Sequence, residues 1–309
     1  MTTTIFIDGG AGTTGLEIRE RLADRPGLAL LTLPEERRKD ASARREALND
    51  ADIVVLCLPD DAAREAVSLI DNPRTRVIDA STAHRTAPGW VYGFPELSGR
   101  QRVAEATRVS NPGCYSTGFI ALVAPLVRAG FIPHDWPLTC NAVSGYSGGG
   151  KAMIADYESA GAAAPAWSTY ALGLGHKHVP EMRAHCGLTY PPLFVPAVVD
   201  TLRGMIVEVP LMLGAMPGTH VPATLRATLK DFYAGSPVVR VIDAYDPATL
   251  AVERLANTDR LDLFVFGSAD GQQARLVAAL DNLGKGAAGA AVQSLNLMAG
   301  LPEADGLRL

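Results

Sequence analysis

The sequence lacks the features of a membrane protein, a secreted protein or a nucleic-acid-binding protein. Its 309 residues contain no continuous apolar run of about 18 residues, the length needed to cross a bilayer. Lysine and arginine number 28 against 33 aspartates and glutamates, so the net charge is −5 and no basic face for nucleic acid is predicted. The first residues show neither a basic segment nor a long apolar stretch. We therefore predict no signal peptide and expect a cytoplasmic protein.

Cysteine is also scarce. The four cysteines are far apart, and none has the paired spacing of metal ligands: Cys57, Cys114, Cys140 and Cys186. In a chain expected in a reducing compartment, this pattern argues against both disulfides and a zinc site, so no metal is predicted. A cysteine with a chemical role must then be recognised by its context.

What the sequence does contain is an alternation of strands and helices over its first third. A buried strand from Thr3 to Asp8 is followed by a glycine-rich turn and a helical pattern from Leu16 to Ala23. Further apolar strands (ALLTL, DIVVLCL, TRVIDA and TRVS) alternate with polar or helical segments, and Asp60 or Asp61 is predicted to cap the helix after Pro59. The pattern predicts an α/β fold with a doubly wound, Rossmann-like parallel sheet.

The glycine-rich turn has the spacing of a dinucleotide-binding loop. Gly10, Gly12 and Gly15 fit G-x-G-x-x-G, whereas Gly9, Gly12 and Gly15 fit G-x-x-G-x-x-G, with Thr13 and Thr14 inside the motif. Either spacing lets backbone N–H groups approach a pyrophosphate at a helix N-terminus.

The end of the second strand bears on the choice of nicotinamide cofactor. An acidic residue there holds a ribose 2′-hydroxyl, whereas arginines hold a 2′-phosphate. Both types occur, because Glu35 and Glu36 are followed by Arg37, Arg38 and Lys39. The cluster of three cations favours NADP (NADPH), because it suits a dianionic phosphate.

Beyond about Leu138 the sequence becomes rich in apolar strands with few intervening helices, which predicts a second α+β domain on a mostly antiparallel sheet. The small residues after Gly286 predict a helix that returns to the first domain. We therefore predict a dinucleotide-binding domain of residues 1–113 plus 283–309, and a domain of residues 114–282 for catalysis, substrate binding and oligomerisation. The apolar strands make a homodimer or homotetramer the expected assembly.

One cysteine and two histidines stand out as candidate reactive groups. Cys114 follows Pro112 and Gly113 between a strand and a helix, where free N–H groups of the first helical turn stabilise a thiolate. His176 and His178 form the one tight histidine cluster, and at this spacing on an extended segment both point to the same side. The remaining histidines, His84 among them, are interpreted as surface or core residues.

At these residues the chain resembles the short (type 2) form of N-acetyl-gamma-glutamyl-phosphate reductase. The likeness lies in NPGCYSTG around Cys114 and continues through DGGAGTTGLEIRERL, DASTAHR, YGFPEL, VSGYSGGGK, HKHVPEM and DNLGKGAAGAAVQSLNLM, nearly the whole chain. Two positions depart from the pattern: Ser116, where proline or a small apolar residue is common, and Lys151, where many members have arginine. We expect these departures to affect substrate geometry rather than the reaction.

The resemblance implies that Cys114 attacks the acyl phosphate of N-acetyl-L-glutamyl 5-phosphate and that NADPH reduces the resulting thioester to the 5-semialdehyde, as in arginine biosynthesis. His176 or His178 would move the proton, and the sequence leaves that choice open. Anionic groups of this small-molecule substrate need cations or N–H donors, and the candidates are Ser81, Arg85, Asn111, Ser144, Gly145, Lys151 and Glu181. The resemblance further suggests Asn282 and Gly284 as neighbours of the nicotinamide.

Two other functions remain open from the sequence. An enzyme similar to aspartate-semialdehyde dehydrogenase would share the dinucleotide domain, the cysteine and the acyl-phosphate chemistry. A non-catalytic NADP-binding sensor would need nothing special of Cys114. Whether the acyl group is free or presented by a carrier protein is also left open.

Overall fold

The computed structural model describes residues 2–38, 40–218 and 220–309. Contacts divide the chain into two compact units, the first made of Met1–Gly113 and Ala287–Leu307 and the second of Cys114–Gly286 and Arg308–Leu309. No helix in the described ranges is long and apolar enough to cross a membrane.

The first unit alternates strands with helices, as the sequence predicts. Its elements up to Gly113 are β1 (Thr3–Asp8), α1 (Thr13–Leu22), β2 (Leu28–Leu31), α2 (Ala41–Asp50), β3 (Ile53–Leu56), α3 (Asp60–Ser68), β4 (Arg76–Asp79), β5 (Val91–Tyr92), α4 (Pro95–Ser98), α5 (Arg100–Glu105) and β6 (Arg108–Ser110). The strand β5 and the helices α2, α4 and α5 are not anticipated, because these segments are short or highly charged.

The strands form a six-stranded sheet in the order β2-β1-β3-β4-β6-β5, and every pairing is parallel. The predicted doubly wound parallel sheet is therefore confirmed. Ile18 of α1 and Val103 of α5 belong to the apolar cluster on one face, and Leu48 of α2 and Ala63 of α3 belong to the cluster on the other. Because both faces are covered, β3 consists entirely of buried apolar residues.

The predicted cap of α3 is wrong. Pro59 occupies the cap position, and no side chain caps the helix. The Asp60 carboxylate instead accepts hydrogen bonds from the backbone N–H of Thr82 (2.9 Å) and from the Thr82 hydroxyl. Asp60 thus holds the loop that follows β4, a long-range contact that competes with capping.

The second unit begins with a long helix and continues mainly with strands. Its elements are α6 (Cys114–Arg128), β7 (Thr139–Gly145), α7 (Gly150–Ala160), β8 (Trp167–Thr169), α8 (Val179–Cys186), β9 (Leu193–Val199), β10 (Met205–Leu211), α9 (Pro222–Phe232), β11 (Val239–Val241), β12 (Leu261–Gly267) and β13 (Ala274–Leu280). More helices intervene than expected. One reason is that α7 buries no residue, so its sequence carries no amphipathic signal.

These strands form a seven-stranded mixed sheet in the order β11-β12-β13-β10-β7-β9-β8. Four of its pairings are antiparallel and two are parallel, so the predicted mostly antiparallel sheet is confirmed. The helix α6 lies on this sheet so closely that a Cβ on Gly118 would come within 2.7 Å of Val207. This packing fixes the first turn of α6, where Cys114 lies.

The last helix, α10 (Gly289–Met298), follows a short π-helical turn at Gly284–Ala288 and belongs to the first unit. Its residues Ala291, Val292 and Leu295 are buried in the same cluster as Ile18. The chain thus leaves the second unit a few residues after β13.

Candidate active site

The glycine turn after β1 is shaped by close contacts between backbone segments. Gly9 has φ +81°, and a Cβ there would lie 2.3 Å from the carbonyl oxygen of Cys57. A Cβ on Gly15 would lie 2.6 Å from the carbonyl oxygen of Gly9. Among the glycines of the two motif spacings, Gly9 and Gly15 are thus the positions where a side chain is excluded most strictly. Gly12 precedes α1 without a side-chain cap, which leaves N–H groups at the helix N-terminus.

A cavity of about 780 Å³ adjoins this turn. Its wall contains Gly9, Gly10 and Ala11 of the turn, the end of β2 and the segment after it as far as Arg38, and Leu58. The Thr13 hydroxyl at the start of α1 is buried without a hydrogen-bond partner among the described residues. A closely approachable turn, a helix N-terminus and a partnerless hydroxyl fit a bound pyrophosphate.

The predicted phosphate-binding cations are placed differently from one another. Arg38 is on the cavity wall, with its guanidinium 4.0 Å from the Glu35 carboxylate. Arg37 is not on that wall, and its guanidinium lies 4.0 Å from Asp40 and 3.9 Å from Glu46. Lys39 lies outside the described residues.

Three of the predicted substrate residues come together at the ends of β4 and β6. Ser81 donates from its hydroxyl (2.7 Å) and its backbone N–H (2.9 Å) to the Asp79 carboxylate. The buried Arg85 donates to the carbonyl oxygen of Asn111 (3.0 Å). Asn111 itself donates to the carbonyl of Ala287, while its Oδ1 is buried with no hydrogen-bond partner among the described residues. This amide oxygen is therefore able to receive a donor.

His84, interpreted from the sequence as an ordinary histidine, also joins this cluster. Its Nδ1 lies 2.6 Å from the Asp79 carboxylate, and its ring stacks on Trp90 with the centroids 4.1 Å apart. The one available signal was its position in the DASTAHR block, because the pairing with Asp79 depends on how the loop folds.

In the second unit, Cys114 is the first residue of α6 and is partly exposed. Gly286 stands directly against it, and a Cβ on Gly286 would lie 2.9 Å from the Cβ of Cys114 and 3.0 Å from the carbonyl oxygen of Asp281. The thiol therefore has a defined place, at a helix N-terminus that favours its ionised form.

The structure brings His176 and His178 to the residue that follows the thiol. The Tyr115 ring lies 6.0 Å from the His176 ring and 5.9 Å from the His178 ring, and the two imidazoles are 4.7 Å apart. The Ser116 hydroxyl donates to the carbonyl oxygen of His178 (3.3 Å), which ties the first turn of α6 to the same segment.

The prediction that His176 and His178 lie on an extended segment is wrong, because His178 has helical backbone angles and immediately precedes α8. The two rings meet through this turn. Its geometry also lets the backbone N–H of His178 donate to Nδ1 of His176 (3.1 Å).

Two tyrosine hydroxyls complete the surroundings of the thiol. Burial raises the pKa of Tyr115, and the charges of Tyr170 and Cys114 raise it further. Burial also raises the pKa of Tyr170 to about 12, with a hydrogen bond to Tyr115 opposing the rise and Cys114 adding to it. Both phenols therefore stay neutral near pH 7. Neither was singled out from the sequence, although Tyr115 is part of the cysteine signature.

The remaining predicted residues of this unit have mixed placements. Ser144 is buried at the end of β7 and interacts with the Tyr115 hydroxyl. Glu181 is buried in the first turn of α8. Lys151, by contrast, is exposed on α7. Ser144 and Glu181 thus lie close to the cluster in space or in sequence, whereas nothing in the structure draws Lys151 toward it.

Three predicted residues are engaged with the protein itself. Asn282 accepts from the backbone N–H of Gly204 (3.0 Å) and donates to the Ser147 hydroxyl (2.8 Å). A Cβ on Gly284 would lie 2.0 Å from the carbonyl oxygen of Thr258, and one on Gly145 would lie 2.6 Å from that of Thr201. These glycines are required by internal packing, whereas Gly286 is the one that adjoins the thiol.

The other three cysteines differ from Cys114 in their surroundings. All four are free thiols. Burial raises the pKa of Cys57 to about 12, with Asp79 and Asp8 adding to the effect. Burial also raises the pKa values of Cys140 and Cys186, both fully enclosed. These three thiols are therefore protonated at neutral pH.

Comparison with known families divides the chain at the same place. Residues 4–106 match the family described as semialdehyde dehydrogenase, NAD binding domain. Residues 114–282 match semialdehyde dehydrogenase, dimerisation domain. Cys114 is thus the first residue of the second match.

Solved structures with this fold include aspartate semialdehyde dehydrogenase II from Vibrio cholerae, with a TM-score of 0.73, 16% identity and coverage of 97% of this chain and 99% of that one. Aspartate semialdehyde dehydrogenase from Candida albicans, solved with NADP, gives a TM-score of 0.63 at 15% identity. The match covers 96% of this chain and 98% of that one. At such identities the likeness shows the fold alone.

Curated relatives are far more similar. N-acetyl-gamma-glutamyl-phosphate reductase 2 of Pseudomonas putida is 52% identical over 99% of both chains. The enzyme of the same name from Nostoc sp. is 49% identical over 98% of both chains. Identity at this level over nearly the full length shows that this chain belongs to the N-acetyl-gamma-glutamyl-phosphate reductase family of oxidoreductases.

Proposed function

We propose that the protein reduces N-acetyl-L-glutamyl 5-phosphate to N-acetyl-L-glutamate 5-semialdehyde and phosphate, as a cytoplasmic enzyme of arginine biosynthesis. The observation that carries this proposal is the partly exposed Cys114 at the start of α6, beside a tyrosine whose ring contacts both imidazoles. An acyl phosphate needs a nucleophile and a proton carrier in one place, and these residues supply both.

The first unit holds the cofactor, which we propose to be NADPH. The turn from Gly9 to Gly15 takes the pyrophosphate, with Thr13 and Thr14 at the start of α1. Arg38 is on the cavity wall, where a 2′-phosphate would need a cation. When bound, the cofactor supplies a hydride. The second unit carries the nucleophile, Cys114.

The protein's own part of the reaction begins at the thiol. The Cys114 thiolate attacks the acyl carbon, a carbon–sulfur bond forms, and the carbon–oxygen bond to phosphate breaks. After the acyl carbon accepts the hydride, the tetrahedral species collapses, the carbon–sulfur bond breaks, and the aldehyde leaves. The thiolate is restored, and phosphate leaves with one proton, which the proton carrier delivers and then regains from solvent.

The two imidazoles have different roles in this proposal. Because Nδ1 of His176 accepts from the backbone N–H of His178, a neutral His176 carries its proton on Nε2. That Nε2–H can donate to the carbonyl oxygen but cannot accept a proton. His178 is therefore the proposed proton acceptor, and His176 the hydrogen-bond donor.

This division predicts how substitutions of the two histidines differ. Glutamine keeps an N–H donor near the Nε2 position but cannot carry a proton between groups. We expect His176→Gln to retain at least about tenfold more kcat/KM than His176→Ala, because a single hydrogen bond to a developing charge is worth roughly that factor or more. His178→Gln should be as impaired as His178→Ala. Equal losses in both His176 variants would contradict the assignment.

The substrate's anionic groups need the remaining polar residues. Asn111 offers a buried amide oxygen with no partner among the described residues, and Arg85 provides a buried cation beside its carbonyl. With Ser81, they are proposed to bind substrate. Ser144 and Glu181 are proposed as further substrate-binding residues.

We also propose that the protein assembles through the open face of its mixed sheet. A cavity of about 410 Å³ on this face is lined by residues of β7 to β10 and β13, including the exposed Trp167 and Val195. Exposed apolar strand residues of this kind suit a homodimer, and the family match over residues 114–282 supports it. A tetramer would need a second contact.

The decisive experiment is the reverse reaction, which is phosphate-dependent reduction of NADP⁺ by N-acetyl-L-glutamate 5-semialdehyde. Wild type should be active, Cys114→Ser should fall to the assay background, and the control Cys57→Ser should keep its activity. L-aspartate 4-semialdehyde, tested in parallel, should be a poor substrate. Preference for the aspartyl compound would favour the alternative dehydrogenase, and equal activity of wild type and Cys114→Ser would refute the proposed chemistry.

A further inference from the structure

The wall of the cavity in the first unit contains three arginines, and they differ in their partners. Arg44 donates to the Asp8 carboxylate at 2.8 and 3.2 Å. Arg38 lies 4.0 Å from the Glu35 carboxylate. Arg19 takes part in no hydrogen bond or ion pair with any residue of the described ranges, although it lines the same cavity. Of the three arginines, Arg19 is therefore the one whose guanidinium has no carboxylate partner within the described part of the chain.

Arg19 is also held close to the nucleotide-binding turn. It lies on α1 one turn after Gly15, and its Cδ would be 3.3 Å from a Cβ on Gly10. The side chain is only partly exposed. Because its stem is packed against the turn, the head group has little freedom to lose when it binds an anion.

The acidic residues of the wall make this cation important. Glu35 and Glu36 both line the cavity, and carboxylates at the end of β2 disfavour a 2′-phosphate. The positive charge of Arg38 compensates the carboxylate of Glu35, and that of Arg44 compensates the carboxylate of Asp8. Among the arginines described on the wall, Arg19 is the one without a carboxylate partner, so its charge is available to oppose Glu36 and to bind a further anion.

We propose that Arg19 selects the 2′-phosphorylated cofactor by binding that phosphate. The proposal rests on NADPH being the cofactor. It gives Arg19 the phosphate-binding role that the sequence suggested for Arg37, which does not line the cavity and lies near Asp40 and Glu46. A guanidinium suits this task because its planar donors bind two phosphate oxygens at once.

The test measures binding of two nucleotide fragments that differ by this phosphate alone, 2′,5′-ADP and 5′-AMP, by calorimetry on the full chain. Wild type should bind 2′,5′-ADP more tightly. Arg19→Gln should weaken 2′,5′-ADP binding by about ten- to a hundredfold, the loss expected for a charged hydrogen bond, and 5′-AMP binding by less than about twofold. Arg45→Gln, an exposed arginine paired with Asp71 and off the wall, is the matched control and should change neither affinity.

Two further variants extend the test. Glu36→Gln should strengthen binding of 2′,5′-ADP, since it removes a like charge. Arg19→Lys keeps the charge but not the planar fork, so it should lose several-fold on 2′,5′-ADP only. If Arg19→Gln fails to fold, the comparison of the two fragments can be made with Arg19→Lys instead.

Each outcome has a distinct meaning. Equal losses for both fragments in the Arg19 variants would place the guanidinium on a phosphate that both share, and would overturn the proposal. An unchanged preference for 2′,5′-ADP in those variants would overturn it while leaving NADPH as the cofactor. If wild type itself does not distinguish the fragments, the choice of NADPH fails, and the role of Arg19 fails with it.

Discussion

Replacing Gly286 with alanine tests whether the position of the Cys114 thiol is set by its neighbours. The new Cβ would lie 2.9 Å from the Cys114 Cβ and 3.0 Å from the Asp281 carbonyl oxygen. Ordinary contacts of a Cβ begin near 3.4 Å, so one partner must move by about 0.5 Å. Neither contact is the end of a flexible side chain, so the displacement falls on the backbone at the start of α6.

The expected result follows from how steeply reaction rates depend on geometry. A misplacement of about 1 Å costs about a hundredfold in rate, so we expect Gly286→Ala to lower kcat/KM by about ten- to a hundredfold. Overpacking should also lower the free energy of unfolding by about 1–3 kcal/mol, as measured by urea denaturation. Steady-state kinetics of the reverse reaction and the rate of thiol alkylation report separately on catalysis and on the cysteine.

The matched control is Gly173→Ala in the same unit, because a Cβ there meets nothing within 4 Å and its backbone needs no left-handed conformation. It should change neither stability nor kcat/KM by more than the error of the assays. A Gly286→Ala enzyme with wild-type kcat/KM and wild-type alkylation would refute the reasoning, since the thiol would then tolerate the shift or take no part in the reaction.

Three further predictions concern the thiols, Ser116 and assembly. At pH 8 iodoacetamide should label Cys114 alone, because a pKa of about 12 leaves roughly one Cys57 in ten thousand ionised; labelling of Cys57 should rise only as the pH approaches that value. Mass spectrometry that finds a second modified cysteine at pH 8 would contradict this. Ser116→Ala should cost about 0.5–1.5 kcal/mol in urea unfolding, the usual worth of a hydrogen bond such as the one to His178; no loss would show that bond to be immaterial. Trp167→Glu should shift the protein to monomers in light scattering, and an unchanged mass would rule out the proposed sheet interface.

The sequence by itself determined the features that depend on neighbours along the chain. The apolar runs specify the strands of the parallel sheet, and the spacing of Gly9, Gly12 and Gly15 specifies a turn that backbone can approach. Proline and glycine before Cys114 place it where a helix begins. Each of these is a local preference that tertiary contacts only need to preserve.

Tertiary structure alone decided which distant residues meet. Nothing local pairs His84 with Asp79, turns Asp60 away from its own helix, or brings Gly286 against Cys114. The same applies to the nucleotide cavity, where folding puts Arg19 on the wall and leaves Arg37 beside Asp40 and Glu46. Such contacts depend on the packing of whole elements against one another, and one sequence read in order carries no record of that packing.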